Sequence, residues 1–247
     1  LILGPDGIRN LGMQLSWLAP LPFYIEVIGS IQNAHGETAV SFLSNEENFA
    51  REAATVFPNP SSGLSFTERE VRSLNDFLYM TRLKTAWTPV DSMEVVYGIS
   101  GLFGPNASGE ETDTQIFGAD LYGKWRPISA LRGWPFVSIQ TEVMWRLYEA
   151  RSNTLHDRGF YLQGLWGFVP RWVSGLRLDY ANGGDSIDPL RDRRWRLSPN
   201  LAFYPSEFSK WRLQYNLDLA QHMNDKALHA IFLQFEFLIG THGAHQF

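Results

Sequence analysis

Ile231-Phe232-Leu233-Gln234-Phe235-Glu236-Phe237-Leu238-Ile239 puts Ile231, Leu233, Phe235, Phe237 and Ile239 on one parity and Phe232, Gln234, Glu236 and Leu238 on the other. Successive side chains of an extended strand point to opposite faces, so one face here is apolar and aromatic-rich while the other carries an amide and a charge. A soluble sandwich hides its apolar face and wets its polar one. A membrane barrel does the reverse, turning apolar residues out to lipid and polar residues in to water.

The same alternation recurs ten times upstream. Leu11 to Trp17, Phe23 to Val27, Phe77 to Trp87, Met93 to Phe103 and Phe117 to Trp125 are the first five segments. Val137 to Leu147, Phe160 to Phe168, Leu176 to Tyr180, Trp195 to Phe203 and Trp211 to Leu219 complete the series. Most runs are about 9 to 14 residues, longer than the five or six usual in soluble sheets and enough for a tilted membrane strand, which needs about 9 to 11. The predicted fold is all-β, a transmembrane antiparallel up-and-down barrel with eleven strands in residues 1–247, read as a single domain.

Composition agrees with this and narrows the function classes. Nine Trp, nine Tyr and seventeen Phe are a heavy aromatic load, for which girdles at two membrane interfaces supply a physical reason. A net charge of −5 speaks against a nucleic-acid partner, whose phosphates are met by excess Lys and Arg. Cysteine is absent, so thiolate metal sites and disulfides are excluded. No run of about 18 apolar residues exists to make a membrane helix.

The connections are sorted as well. Ala19 to Pro22, Thr88 to Asp91, Pro170-Arg171 and Pro205 to Ser209 are short and Pro-marked, and longer polar stretches lie between them, above all Asn33 to Arg72. Short periplasmic turns and long extracellular loops are the asymmetry of outer-membrane barrels, so the expected location is the bacterial outer membrane, with residues 33–72 as a long extracellular loop. Within that loop Asn45 to Glu52 is expected to form a short helix folded into the pore or over its mouth. A short first turn starts the chain on the outer side, whereas such barrels generally have an even strand number and both termini inside. The expectation is therefore an N-terminally incomplete barrel of 12 or more strands.

Chemistry is sparse. There is no G-x-S-x-G, phosphate-binding glycine loop or H-E-x-x-H, and the chain is not expected to be an enzyme. Ser152, His156 and Asp157 form the one local grouping of catalytic residue types, and a polar loop between strands accounts for it. The lumen-side charges say more. Arg82, Lys84, Asp120, Lys124, Glu142, Arg146, Arg177, Asp179, Arg194, Arg196, Arg212, Asp218 and Glu236 share the inward parity and are the expected pore-lining residues, with Glu26, Asp76 and Glu94 on the same parity. Opposed charges in a narrow passage set ion selectivity. The competing reading is a salt-bridged filling of a closed lumen, with the barrel serving as the anchor of an enzyme or adhesin. His242 and His245 are the candidate metal ligands, at i and i+3, which share an ion only if the tail turns out of strand geometry. His35, His222 and His229 lie elsewhere. The C-terminal Phe247 fits a signal to the barrel-assembly machinery.

Leu3-Gly4-Pro5-Asp6-Gly7, Gln14-Leu15-Ser16-Trp17-Leu18, Pro20-Leu21-Pro22-Phe23-Tyr24, Gln32-Asn33-Ala34, Gly36-Glu37-Thr38-Ala39 and the tail His242-Gly243-Ala244-His245 with Phe247 together resemble bacterial zinc-regulated TonB-dependent outer-membrane receptors. The match is best over roughly the first 42 and last 20 residues. It implies an outer-membrane barrel in contact with lipid, uptake of small solutes, and zinc or another metal ion as transported ion with no bound cofactor. It also implies TonB as a partner, although the plug and energy-coupling box of that family do not stand in these residues.

Overall fold

Long alternation rich in Leu, Val, Ile, Trp, Tyr and Phe is the pattern that pleats and pairs. The computed structural model describes residue 3 and residues 7–36, 38–43, 67, 69, 71–130, 133–150, 153–183, 192–224 and 226–239. Within them run eleven strands: β1 Gly12–Leu18, β2 Tyr24–Asn33, β3 Phe77–Val90, β4 Met93–Pro105, β5 Asp113–Trp125, β6 Phe136–Glu149, β7 Thr154–Val169, β8 Trp172–Gly183, β9 Arg194–Ser206, β10 Ser209–Ala220 and β11 Ala227–Phe237. They form one sheet in chain order, each strand antiparallel to the next. A sandwich needs two packed sheets, and the described strands make only one. The up-and-down order expected from the sequence is therefore present, and the sheet is barrel-like but open, with no ladder joining β1 to β11 among the described residues.

Several elements are longer than the sequence pattern suggested, because backbone pairing continues where side-chain alternation has faded. β3 runs through Thr88 and Pro89 to Val90, leaving a two-residue turn at Asp91-Ser92. β7 begins at Thr154, so His156 belongs to a strand and not to a loop. One connection breaks the expected sorting. The connection between β5 and β6 is on the short-turn side yet spans ten positions, and at its end Trp134 and Phe136 pack together, ring centroids 5.2 Å apart. This pair joins Leu165, Val173, Ala202 and Tyr204 in an apolar cluster.

The two faces differ sharply. Leu15, Trp17, Leu83, Trp87, Ile99, Leu121, Ile139, Trp166, Leu176, Leu213, Ile231 and Leu233 are exposed on one face. Leu78, Thr114, Ile116, Ser138, Leu155, Asp157, Val173, Ser198, Ala202 and Asn216 are buried, and all lie on the other. The polar face is thus the sheltered one, and the apolar face is open. Along the open face aromatic residues recur eight positions apart on single strands, as in Tyr79 and Trp87, Phe117 and Trp125, Trp172 and Tyr180, and Trp195 and Phe203. At about 3.3 Å per residue that is roughly 26 Å along a strand. For strands tilted about 40° the height falls to roughly 20 Å, near the apolar band of a membrane barrel.

The connection from β2 to β3 ends in a short 3-10 turn, Leu74–Asp76, capped by Ser73. Asp76, which parity alone placed inside, belongs to this turn. Its carboxylate accepts from the Arg72 and Ser73 amides and the Ser73 hydroxyl, and pairs with Arg69 at 2.9 Å. The Arg72 amide is the largest cause holding its pKa down at about 2, the Ser73 donors and Arg69 adding to it against the opposing effect of burial. A depressed carboxyl pKa gives stabilisation that is complete above the ordinary value and lost as pH falls through the depressed one. Hydrogen-exchange protection of the Arg72 and Ser73 amides is expected to hold down to about pH 4 and to vanish toward about pH 2. Asp76→Asn, which keeps an acceptor oxygen but not the charge, should weaken it and abolish its pH dependence in this window. Protection unchanged across that window would show that the turn is held by something else.

Candidate functional site

Register builds the sheltered face. Arg82 on β3 is paired with Ser100 on β4, Lys84 with Gly98, and Gly98 with Asp120 on β5. Arg82 therefore reaches across β4 to Asp120, with Nη2 to Oδ2 at 2.7 Å. The bridge crosses Gly98, where a Cβ would sit 2.7 Å from Arg82 Nη2 and 2.8 Å from Asp120 Oδ2. Any larger residue at 98 would push the pair out of this geometry.

Farther round, Glu142 stands opposite both Asp120 and Tyr161. The Arg177 guanidinium stacks 4.0 Å from the Tyr161 ring centroid and pairs with Asp179 at 2.7 Å. Gln140 Nε2 donates to the Tyr161 hydroxyl at 2.9 Å. Arg196 pairs with Asp218 across β9 and β10, and Lys210 with Glu236 across β10 and β11 at 2.7 Å. Half-exposed pairs such as these add little to stability one by one. Their effect is to fix which atoms the sheltered face presents.

The two ends of this face are apolar. Toward the short turns lies the cluster around Phe136, with Lys124 above its ring at 5.4 Å. Toward the long loops, the chain leaving β2 folds back over the sheet. Ala34, Ala39, Phe42 and Leu43 pack on Leu78 of β3 and Ile116 of β5, with Leu102 of β4 beside them. Arg146 of β6 donates to the Ser41 hydroxyl at 2.7 Å and pairs with Asp157 of β7.

The predicted lining residues Arg82, Lys84, Asp120, Lys124, Glu142, Arg146, Arg177, Asp179, Arg194, Arg196, Arg212, Asp218 and Glu236 are all carried onto this one face by register. The structure also shows that the arginine row is not uniform. Arg177 and Arg196 are each held by a carboxylate, whereas Arg212 has no ion-pair partner among the described residues. His156 is exposed while the adjacent Asp157 is buried, paired with Arg146 on the opposite face. His156 and Asp157 therefore form no catalytic grouping. His229 meets the Tyr215 hydroxyl on the open face. Residues 45–52, His242, His245 and Phe247 lie outside the described residues, as does Ser152. Sequence reasoning missed the inward-folded 34–43 segment. Its signal was Phe42-Leu43, an apolar pair within the β2–β3 connection.

An eleven-strand antiparallel meander, apolar and exposed on one face and charged and sheltered on the other, defines an all-β chain of barrel-like build. No family model matches it, and no solved structure does. It is similar to an uncharacterized protein of Aquifex aeolicus (strain VF5), 28% identical over 272 aligned positions that cover 98% of this chain and 52% of the relative. The chain thus spans about half the length of the curated relative it matches.

Proposed function

We propose that this chain forms the wall of a bacterial outer-membrane β-barrel through which small solutes pass. The observation that carries the reading is the inverted polarity of the sheet. Leu83 is exposed between Arg82 and Lys84, which face the sheltered side, and the same alternation runs from β3 to β10, while edge strand β11 is exposed on both faces. Water favours the opposite arrangement, and a bilayer favours this one. The aromatic rows about one membrane height apart support it further. In a bilayer the free edges of β1 and β11 must pair, with each other or with further strands, because lipid cannot satisfy open backbone groups. In its narrower form the solute is zinc or another metal ion and TonB is a partner. That form rests on the family resemblance alone, and among the described residues no three His, Asp or Glu side chains converge to hold a metal.

The test is conductance of the full-length protein in a planar bilayer. A passage lined by the Arg177, Arg194, Arg196 and Arg212 side chains should show ion selectivity, and neutralising Arg194 and Arg196 together should move it toward cations. No conductance in any variant would overturn passage. It would favour the second reading, a closed barrel serving as an anchor, which the ion pairs and the docked 34–43 segment support.

A further inference from the structure

We infer that the sheltered face carries a binding site for a small carboxylate with an apolar body, centred on Arg212. The inference rests on the passage reading and names the class of solute. Its basis is a pocket of about 260 Å³ lined by β7, β8, β9 and β10 on the short-turn half of the face. At about 30 Å³ per water-sized group, it has room for on the order of ten non-hydrogen atoms.

The pocket has two chemically distinct ends. Leu165, Val173, Ala202 and the Tyr204 ring belong to the apolar cluster and form one of them. Arg177, Lys210 and Arg212 line the other. Gln163, Asn200 and Gln214 supply amides between the cations. Gly175 keeps the middle open, since a Cβ there would meet Asn200 Nδ2 at 2.6 Å and Leu165 Cδ2 at 2.7 Å.

Charge pairing singles out one group. Register sets Arg196 against Asp218 and Lys210 against Glu236, and both cations are neutralised there. Arg177 is neutralised by Asp179 on its own strand. Arg212 instead stands between Ala202 and Gln234. An exposed guanidinium left without a carboxylate, lining the pocket beside its apolar end, is a planar fork matched to a bidentate carboxylate. The apolar end three strands wide then selects anions with a hydrocarbon or aromatic body over fully hydrated ones.

Isothermal titration of the full-length protein in detergent micelles tests this with benzoate, its neutral isostere benzamide, and acetate. Benzoate is expected to bind at least tenfold more tightly than either of the others. Arg212→Gln should weaken benzoate at least tenfold, and Arg212→Lys, which keeps the charge without the fork, should weaken it less. Arg171→Gln, at the β7–β8 turn, should leave binding unchanged. Equal binding of benzoate and benzamide, or an unchanged benzoate affinity in a folded Arg212→Gln protein, would overturn the inference. Conductance separates it from the passage reading. A barrel that conducts but does not discriminate benzoate loses the site and keeps the passage, and one that binds benzoate but never conducts does the opposite.

Discussion

Leu213→Arg is expected to destabilise the embedded barrel by about 2 to 4 kcal/mol, and Gln214→Arg, one residue along the same strand, by much less. Leu213 is 51% exposed on the open face, between the aromatic residues Trp211 and Tyr215. Its register partners are Leu201 on β9 and Leu233 on β11, so an arginine there would enter a purely apolar neighbourhood. In lipid that charge has neither water nor a counterion. Gln214 faces the other way, beside Asn216 and Asn200, where polar groups already gather. Leu83 offers an internal replicate, since the chain already carries arginine at 82 and lysine at 84. Leu83→Arg should repeat the Leu213 result. Chemical unfolding from lipid vesicles reads both. Equal costs at Leu213 and Gln214 would mean that the open face does not meet lipid.

Phe42→Ala is expected to release the 34–43 segment from the sheltered face. Phe42 is 1% exposed, and truncating a buried phenylalanine costs about 3 to 5 kcal/mol. The segment's other anchors are Ala34, Ala39 and Leu43 in the same cluster, Leu3 and Ile8 packed against it, the Arg9 amide donating to Thr38 Oγ1, and the Arg146 hydrogen bond to Ser41. The Phe42 amide, bonded to the Ala39 carbonyl at 2.8 Å, should exchange with solvent much faster. In a conducting barrel the single-channel current should rise, because the segment packs on the sheltered face of β3 to β6 at their long-loop ends. Slow exchange and unchanged current in the variant would show that Phe42 does not hold the segment in place.

The fold was largely legible because each strand repeats one simple rule. Alternation such as Trp211-Arg212-Leu213-Gln214 states both the strand and the face of every residue in it. Strand ends were less legible, as at Thr154 to Arg158, because a ladder can continue past the last alternating pair. The charged face could be named residue by residue, but its pairing could not. Asp218 lies 22 positions from Arg196, and Asp120 lies 38 from Arg82. Only the registers of the intervening strands bring them together. The contrast between Arg196 and Arg212 is invisible without those registers, since both are arginines on the same parity. The inward turn after β2 escaped for another reason. A loop has no period, so Phe42 and Leu43 carry no directional signal until the surface that receives them is known.

That receiving surface bears on the order in which the molecule is put together. Every ladder joins neighbours in the chain, so the sheet can grow one hairpin at a time with short loop closures. The seat of the 34–43 segment cannot form this way. Its contacts are Leu78 of β3, Leu102 of β4, Ile116 of β5 and, 105 positions from Ser41, Arg146 of β6. It becomes available only once four successive strands have joined. A slip of one residue in any of those ladders would turn the seat's side chains onto the opposite face, and the segment would find nothing to hold. Docking therefore requires a correctly aligned quartet of strands, and the docked segment is a readout of the register from β3 to β6.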